Sequence, residues 1–451
     1  MSAHPRAIFD WIEVSDAIGE AAHERSEQTD EWRAEITMRW LTGLFLAALA
    51  AETALRFWLA SRQIKAVRAH RDQVPDPFRG QIGVADHQRA ADYTAARVRF
   101  GQWALLFEAL IKVLMTIGGG LAAFDALLRP VPWSEPWHGA LVLLAVVLFL
   151  QLLGLPFGLW RTFRIEAQFG FNRMTPRLFV VDLGKQLLLG VLLGLPLAVA
   201  TLALMQRAGD WWWAWAWLVW LVATVGLTWA APRFIAPLFN RFSPVSDAAL
   251  KQRVEALVER CGFKARGGVF VMDGSRRSAH GNAYFTGIGR NKRIVFFDTL
   301  LARIDLEEIA AVLAHELGHF RLYHVRQRLA ISTLAVLLGL ALLGWLARQP
   351  GFYSALGVPA ASPPMAILLF FLTVPVFAFF ATPIGSWWSR KHERAADDFA
   401  VAHTDARSLA AALVKLYRDN ATTLTPDPVY SAFYDSHPPA LERIASLSAR
   451  A

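Results

Sequence analysis

The chain has 451 residues, of which 55% are hydrophobic and 18% charged, and its mean hydropathy is +0.33. This is too apolar for an ordinary soluble protein of several domains and points to a membrane protein. The net charge of +9 fits Arg and Lys gathered in cytoplasmic loops facing anionic membrane lipid, so no nucleic acid partner is expected; the one cysteine, Cys261, excludes a disulfide framework and a cysteine-cluster metal site.

The start, MSAHPRAIFDWIEVSD, has no basic stretch followed by an apolar core, so no cleaved signal peptide is expected; the continuation GEAAHERSEQTDEWRAE is acidic and helix-prone. A membrane-crossing helix needs about 20 mostly apolar residues. Runs of that kind fall near residues 42–60, 102–124, 139–160, 178–205, 211–231, 329–347 and 365–388, giving about seven spans. The first run carries Glu52 and Arg56 and the second Glu108 and Lys112, each pair one helical turn apart. Two readings stand: mutual neutralisation within the helix, or charges facing a wet interior. The loop SRQIKAVRAHRDQVPDPFRGQ is strongly basic, and basic and Arg-poor loops alternate after it. Positive-inside asymmetry then places the N-terminus outside and the C-terminus in the cytoplasm. The expected organisation is an acidic amphipathic segment (1–36), a bundle of about five spans (37–232), a cytoplasmic insertion (233–328), two further spans (329–388) and a helical C-terminal part (389–451).

In the insertion, an amphipathic helical stretch to about Cys261 precedes three strand-like segments, GGVFVMDGSRR, HGNAYFTGIG and KRIVFFDTLL. Asp305 and Glu308 then form a capping-box pattern ahead of the helical run EEIAAVLAHELGHFRLYHVRQR. On a helix His315 and His319 lie about 40° apart, so both rings can reach one metal ion, and Glu316 is placed to act on water. A structural pair of histidines is the competing reading of so short a motif. A catalytic zinc needs a third protein ligand and an open position. In SWWSRKHERAADDFAVAH, Glu393 and Asp397 share a helix face as a possible ligand and supporting carboxylate; read alone, that segment is an exposed charged helix. His324 and His392 lie off the motif positions and read as bystanders.

From about Phe163 to Leu447 the segments IEAQFGFNR, APLFNRFSPV, SAHGNAYFTG, NKRIVFFDTLL, AHELGHF, SRKHERAADDFA and SHPPALERI occur in one order. In this the chain resembles the type I CAAX prenyl proteases, integral-membrane zinc metalloproteases; the earlier part is similar only in its hydrophobic pattern. The resemblance implies a mainly α, polytopic fold of about seven transmembrane helices around a water-filled chamber, with a gluzincin-like protease domain containing a small β-sheet. It implies one Zn2+ per chain on His315, His319 and Glu393, with Glu316 as general base. Asp397 would orient a ligand histidine, His315. His437 and Arg443 match positions that steady substrate or the developing oxyanion, and Asn282, with Ala283, matches an edge strand that pairs with extended substrate. Phe169 stands where the family carries His.

The expected function is therefore a membrane zinc metalloendopeptidase acting on peptide or protein substrates, C-terminally prenylated ones included. A composition rich in Ala, Arg and Trp reads as bacterial, which suggests an inner-membrane enzyme whose natural targets are unprenylated or damaged membrane proteins. A scaffold or quality-control adaptor keeping the protease fold is the alternative from another class. A transporter would show repeated halves with broken helices, which this chain lacks.

Overall fold

The structure, a computed structural model, describes residues 6–263, 268–286 and 293–450. In chain order its membrane part comprises α1 (Arg6–Ala69), α2 (Val84–Met115), α3 (Gly120–Leu128), α4 (Trp137–Trp160), α5 (Pro176–Arg207), α6 (Trp212–Ala230) and the short α7 (Ala236–Phe239). π-Helical turns extend α4 through Arg161–Glu166 and join α6 to α7 through Ala231–Ile235. There follow β1 (Phe242–Pro244), α8 (Ala248–Arg260), β2 (Val269–Met272), β3 (Ala283–Thr286), β4 (Arg293–Phe297), α9 (Asp298–Leu301) and α10 (Leu306–Arg321). The chain ends with α11 (His324–Leu346), α12 (Pro350–Ala355), α13 (Pro363–Ala378), α14 (Thr382–His403), α15 (Ala406–Asp419), α16 (Pro428–Tyr434) and α17 (Ala440–Ser448).

Among the described residues, six helical stretches are long and apolar enough to cross a bilayer, and α2 with α3, bent by 55°, makes a seventh if the pair is one span. This agrees with the expected number. The bend has a local cause in three successive glycines. Gly119 has φ +76°, and a Cβ on Gly118 would stand 2.7 Å from the Leu114 carbonyl oxygen. Only glycine fits so tight a reversal.

The charges inside the first two spans meet between α1 and α2. Glu52 pairs with Arg56 at 3.0 Å and Glu108 with Lys112 at 2.9 Å, and the cross pairs Arg56–Glu108 and Lys112–Glu52 lie at 3.9 and 3.8 Å. Glu52 and Lys112 are buried. The charges neutralise one another between helices as well as within them, and Arg56 also lines a cavity of about 640 Å3.

The sheet has the order β1-β2-β4-β3, with β2 and β4 parallel and the outer pairs antiparallel. Three of its strands were expected. The fourth, β1, is three residues long and ends in Pro, too short to show alternation. One hydrophobic core joins α8, the sheet and α10 to α15 and α17, so the segment before the last two spans and the segment after them fold as one body. The expected continuous helix through HELGHFRLYHVRQR is not found: α10 stops at Arg321, Tyr323 takes a left-handed φ of 61°, and α11 begins at His324.

Candidate metal centre

α10 is set by its N-terminus. Asp305 accepts from the Glu308 N–H at 3.0 Å and the Glu308 carboxylate accepts from the Asp305 N–H at 2.9 Å, the expected capping box. Lys415 on α15 adds an ion pair to Glu308 at 2.6 Å. The other key element, α14, passes very close to α10. A Cβ on Gly318 would lie 3.2 Å from the Phe399 Cβ and 3.3 Å from the Ala396 Cα. That approach brings Glu393 between the two histidines of α10.

His315 Nε2 is 3.2 Å from His319 Nε2 and 3.3 Å from Glu393 Oε2, and His319 Nε2 is 3.4 Å from Glu393 Oε1. Ligand atoms bound tetrahedrally at about 2.0–2.1 Å stand about 3.3 Å apart. The donor set and its spacing therefore fit a zinc-sized ion. His315 Nδ1 donates to Asp397 Oδ1 at 2.8 Å, which leaves its Nε2 as the lone-pair nitrogen facing the cluster.

Arg443 is buried, and its Nε and Nη2 fork onto both Asp397 oxygens at 2.7 and 2.6 Å. Its fork holds the carboxylate that hydrogen-bonds His315, and Arg443 also lines the cavity beside Glu316. His437 is exposed and its Nδ1 lies 2.6 Å from Glu393 Oε2. Glu316 lines a cavity of about 170 Å3 together with Asn282, Ala283 and His437. Burial, the largest cause, raises the Glu316 carboxyl above the ordinary value, and Glu393 adds to the rise against the pull of the histidines. Ala283 begins β3, whose only sheet neighbour is β4, so its other edge is free of strands among the described residues. Asn420 fixes the approach to that edge, accepting from the Gly281 N–H at 3.0 Å and donating to the Gly281 carbonyl at 3.2 Å. It also borders a larger cavity of about 640 Å3 reaching the membrane helices α1, α2 and α4.

All nine residues singled out in the sequence thus meet around one cavity or its supports. Two were passed over. Asn420 carries no motif signal, and His324 was set aside although its Nδ1 lies 3.1 Å from His319 Nδ1.

Residues 63–241 match the family described as CAAX prenyl protease N-terminal, five membrane helices, and residues 244–451 match peptidase family M48. A CAAX prenyl protease 1 homolog of Caenorhabditis elegans is 31% identical over 90% of this chain and 98% of its own length. CAAX prenyl protease 1 of Saccharomyces cerevisiae is 30% identical over 90% of this chain and 94% of its own. The crystal structure of S. mikatae Ste24p superposes with a TM-score of 0.83 at 27% identity, covering 90% of this chain and 98% of that one. With six or seven candidate spans among the described residues and a metal-type donor set, these matches define an integral-membrane metalloendopeptidase. The chain belongs to the type I CAAX prenyl proteases of peptidase family M48.

Proposed function

We propose that one zinc ion per chain is held by His315, His319 and Glu393 and that Glu316 is the general base for peptide-bond hydrolysis. The observation that carries this reading is the convergence of the donors: the two Nε2 atoms lie 3.2 Å apart, with one Glu393 oxygen 3.3 Å from the first and the other 3.4 Å from the second. Bound there, zinc supplies Lewis acidity toward water and the scissile carbonyl. Glu316, which no described side chain hydrogen-bonds, takes the proton of the attacking water and returns it to the leaving amine; a carboxyl raised by burial suits both halves of that transfer. As the imidazolium, His437 donates Nδ1–H to Glu393 and has Nε2–H left to donate to the developing oxyanion. The free edge at Asn282 and Ala283 pairs with an extended peptide and presents its carbonyl to the cavity. Asp397, gripped by Arg443, fixes the tautomer of His315.

The relatives' printed names support a CAAX-type substrate, C-terminally prenylated peptides included. The composition rich in Ala, Arg and Trp supports a bacterial inner-membrane enzyme, and the loop charge pattern supports an N-terminus outside with the site on the cytoplasmic side and assigns the excess Arg and Lys to lipid, not nucleic acid. The division at 1–36, 37–232, 233–328, 329–388 and 389–451 is kept, with the third and fifth parts sharing one core.

The test is cleavage of a farnesylated CAAX peptide and its unmodified counterpart by detergent-purified protein, before and after a chelator and after zinc is restored. Loss with the chelator and recovery with about one zinc per chain is the expected result. A protein that holds zinc and cleaves neither peptide overturns the reading in favour of the adaptor.

A further inference from the structure

In a continuous helix a residue five positions after His319 would point about 140° away from it. Here the helix breaks instead. Leu322 and Tyr323 form a reversal, with Tyr323 in the left-handed region at φ 61°, a conformation that costs a side-chain-bearing residue of its size free energy and persists where surrounding contacts enforce it. The reversal turns His324, the first residue of α11, back onto the metal centre. Its Nδ1 lies 3.1 Å from His319 Nδ1, and the two rings meet edge to face at 5.2 Å.

His324 is in turn held from its other side. The His392 ring, on α14 next to Glu393, stacks on it at 3.9 Å and 4° from parallel, and Trp388 packs against His392 at 4.2 Å. Both histidines are buried, and His392 Nδ1 has no hydrogen-bond partner. A buried polar ring left unpaired for the sake of a stack is a costly arrangement. It makes sense if the stack holds its neighbour in register.

We propose that His324 is a positioning residue for the metal centre: its Nδ1 accepts the Nδ1–H of His319, fixing the tautomer that leaves His319 Nε2 free to bind metal, while His392 keeps the His324 ring in place. The chemistry is that of a ligand histidine oriented by a hydrogen-bond acceptor on its second nitrogen. His315 and His319 are then held by different devices, the first by a carboxylate and arginine, the second by a neutral imidazole. The inference rests on the reading of His319 as a metal ligand.

The experiment measures zinc affinity of the full-length protein in detergent by competition with a chromophoric chelator, and the visible spectrum of the Co2+-loaded form. The variants are His324→Phe, which keeps a planar ring without an acceptor, His324→Gln, which restores an acceptor oxygen, and His319→Ala as reference. His324→Phe is expected to weaken zinc about 10–100-fold and shift the Co2+ bands, with His324→Gln recovering part of both. If His319→Ala abolishes zinc binding while His324→Phe binds within about twofold of wild type with unshifted Co2+ bands, the role given to His324 is wrong and the metal centre stands. If His319→Ala binds zinc as wild type does, the metal reading itself fails. Equal losses in His324→Phe and His324→Gln overturn the acceptor role, because a packing defect would not distinguish them.

Discussion

Asp397 is the residue on which the metal centre's geometry turns, because one oxygen meets His315 and both meet Arg443. Asp397→Ala is expected to lower zinc affinity about 10–100-fold, read by chelator competition, with cleavage falling at limiting zinc. Arg443→Lys should reproduce much of that loss even though the charge is kept, since an ammonium cannot fork across two carboxylate oxygens; an Arg443→Lys enzyme with wild-type zinc affinity would return the arginine to a substrate role. The histidines and Glu316 were legible in the sequence because their chemistry is written in a five-residue spacing on one helix. Glu393 came into view through its resemblance to a family motif and its partner at i, i+4. The Arg443 fork was not legible, because SHPPALERI shows a basic residue on a short helix and says nothing of what lies buried beneath it.

At the scale of elements, the membrane helices could be read from hydropathy alone, and the places where the reading fell short are the breaks. A three-residue strand and a helix interrupted at Tyr323 without Gly or Pro leave no trace in periodicity. The 55° bend between α2 and α3 is a break of another kind, and the turn after α12 leans on it: at Gly357, with φ +77°, a Cβ would collide with the Thr116 carbonyl oxygen. Gly357→Ala should therefore cost at least about 1–3 kcal/mol from backbone strain alone, measurable as a lowered thermal midpoint in detergent, and an unchanged midpoint would mean that the bend yields freely. In the α1–α2 charge cluster, Lys112→Met leaves Glu52 buried beside Arg56 alone. Loss of one partner from a buried network is expected to cost about 3–5 kcal/mol, with Glu52→Gln in the same chain recovering part of it. Additive losses in the double variant would contradict the network.

Across the whole molecule, the membrane bundle and the protease body are joined by a clamp between a half-buried arginine and a buried carboxylate. Arg62 on α1 forks onto Asp427 at 3.1 and 2.9 Å, and the same carboxylate caps α16 through the Val429 and Tyr430 N–H groups. Burial works against the charge on Asp427, but Arg62 and those N–H groups outweigh it and hold its carboxyl below the ordinary carboxylate range. A lowered carboxyl stabilises fully above its unfolded value and ceases to do so as pH falls through the folded one. The clamp should thus hold at neutral pH and weaken only below about pH 4, and Asp427→Asn should remove that acid-side dependence from the unfolding midpoint. The joining of the two bodies was not legible, since Arg62 and Asp427 are far apart in the chain and neither belongs to a motif. The central claim, a metal held by His315, His319 and Glu393 with Glu316 as base, is tested most directly by Glu316→Gln loaded with zinc. About one zinc per chain with cleavage reduced about 10²–10⁴-fold is the predicted result, and zinc-loaded Glu316→Gln cleaving peptide near the wild-type rate would contradict it.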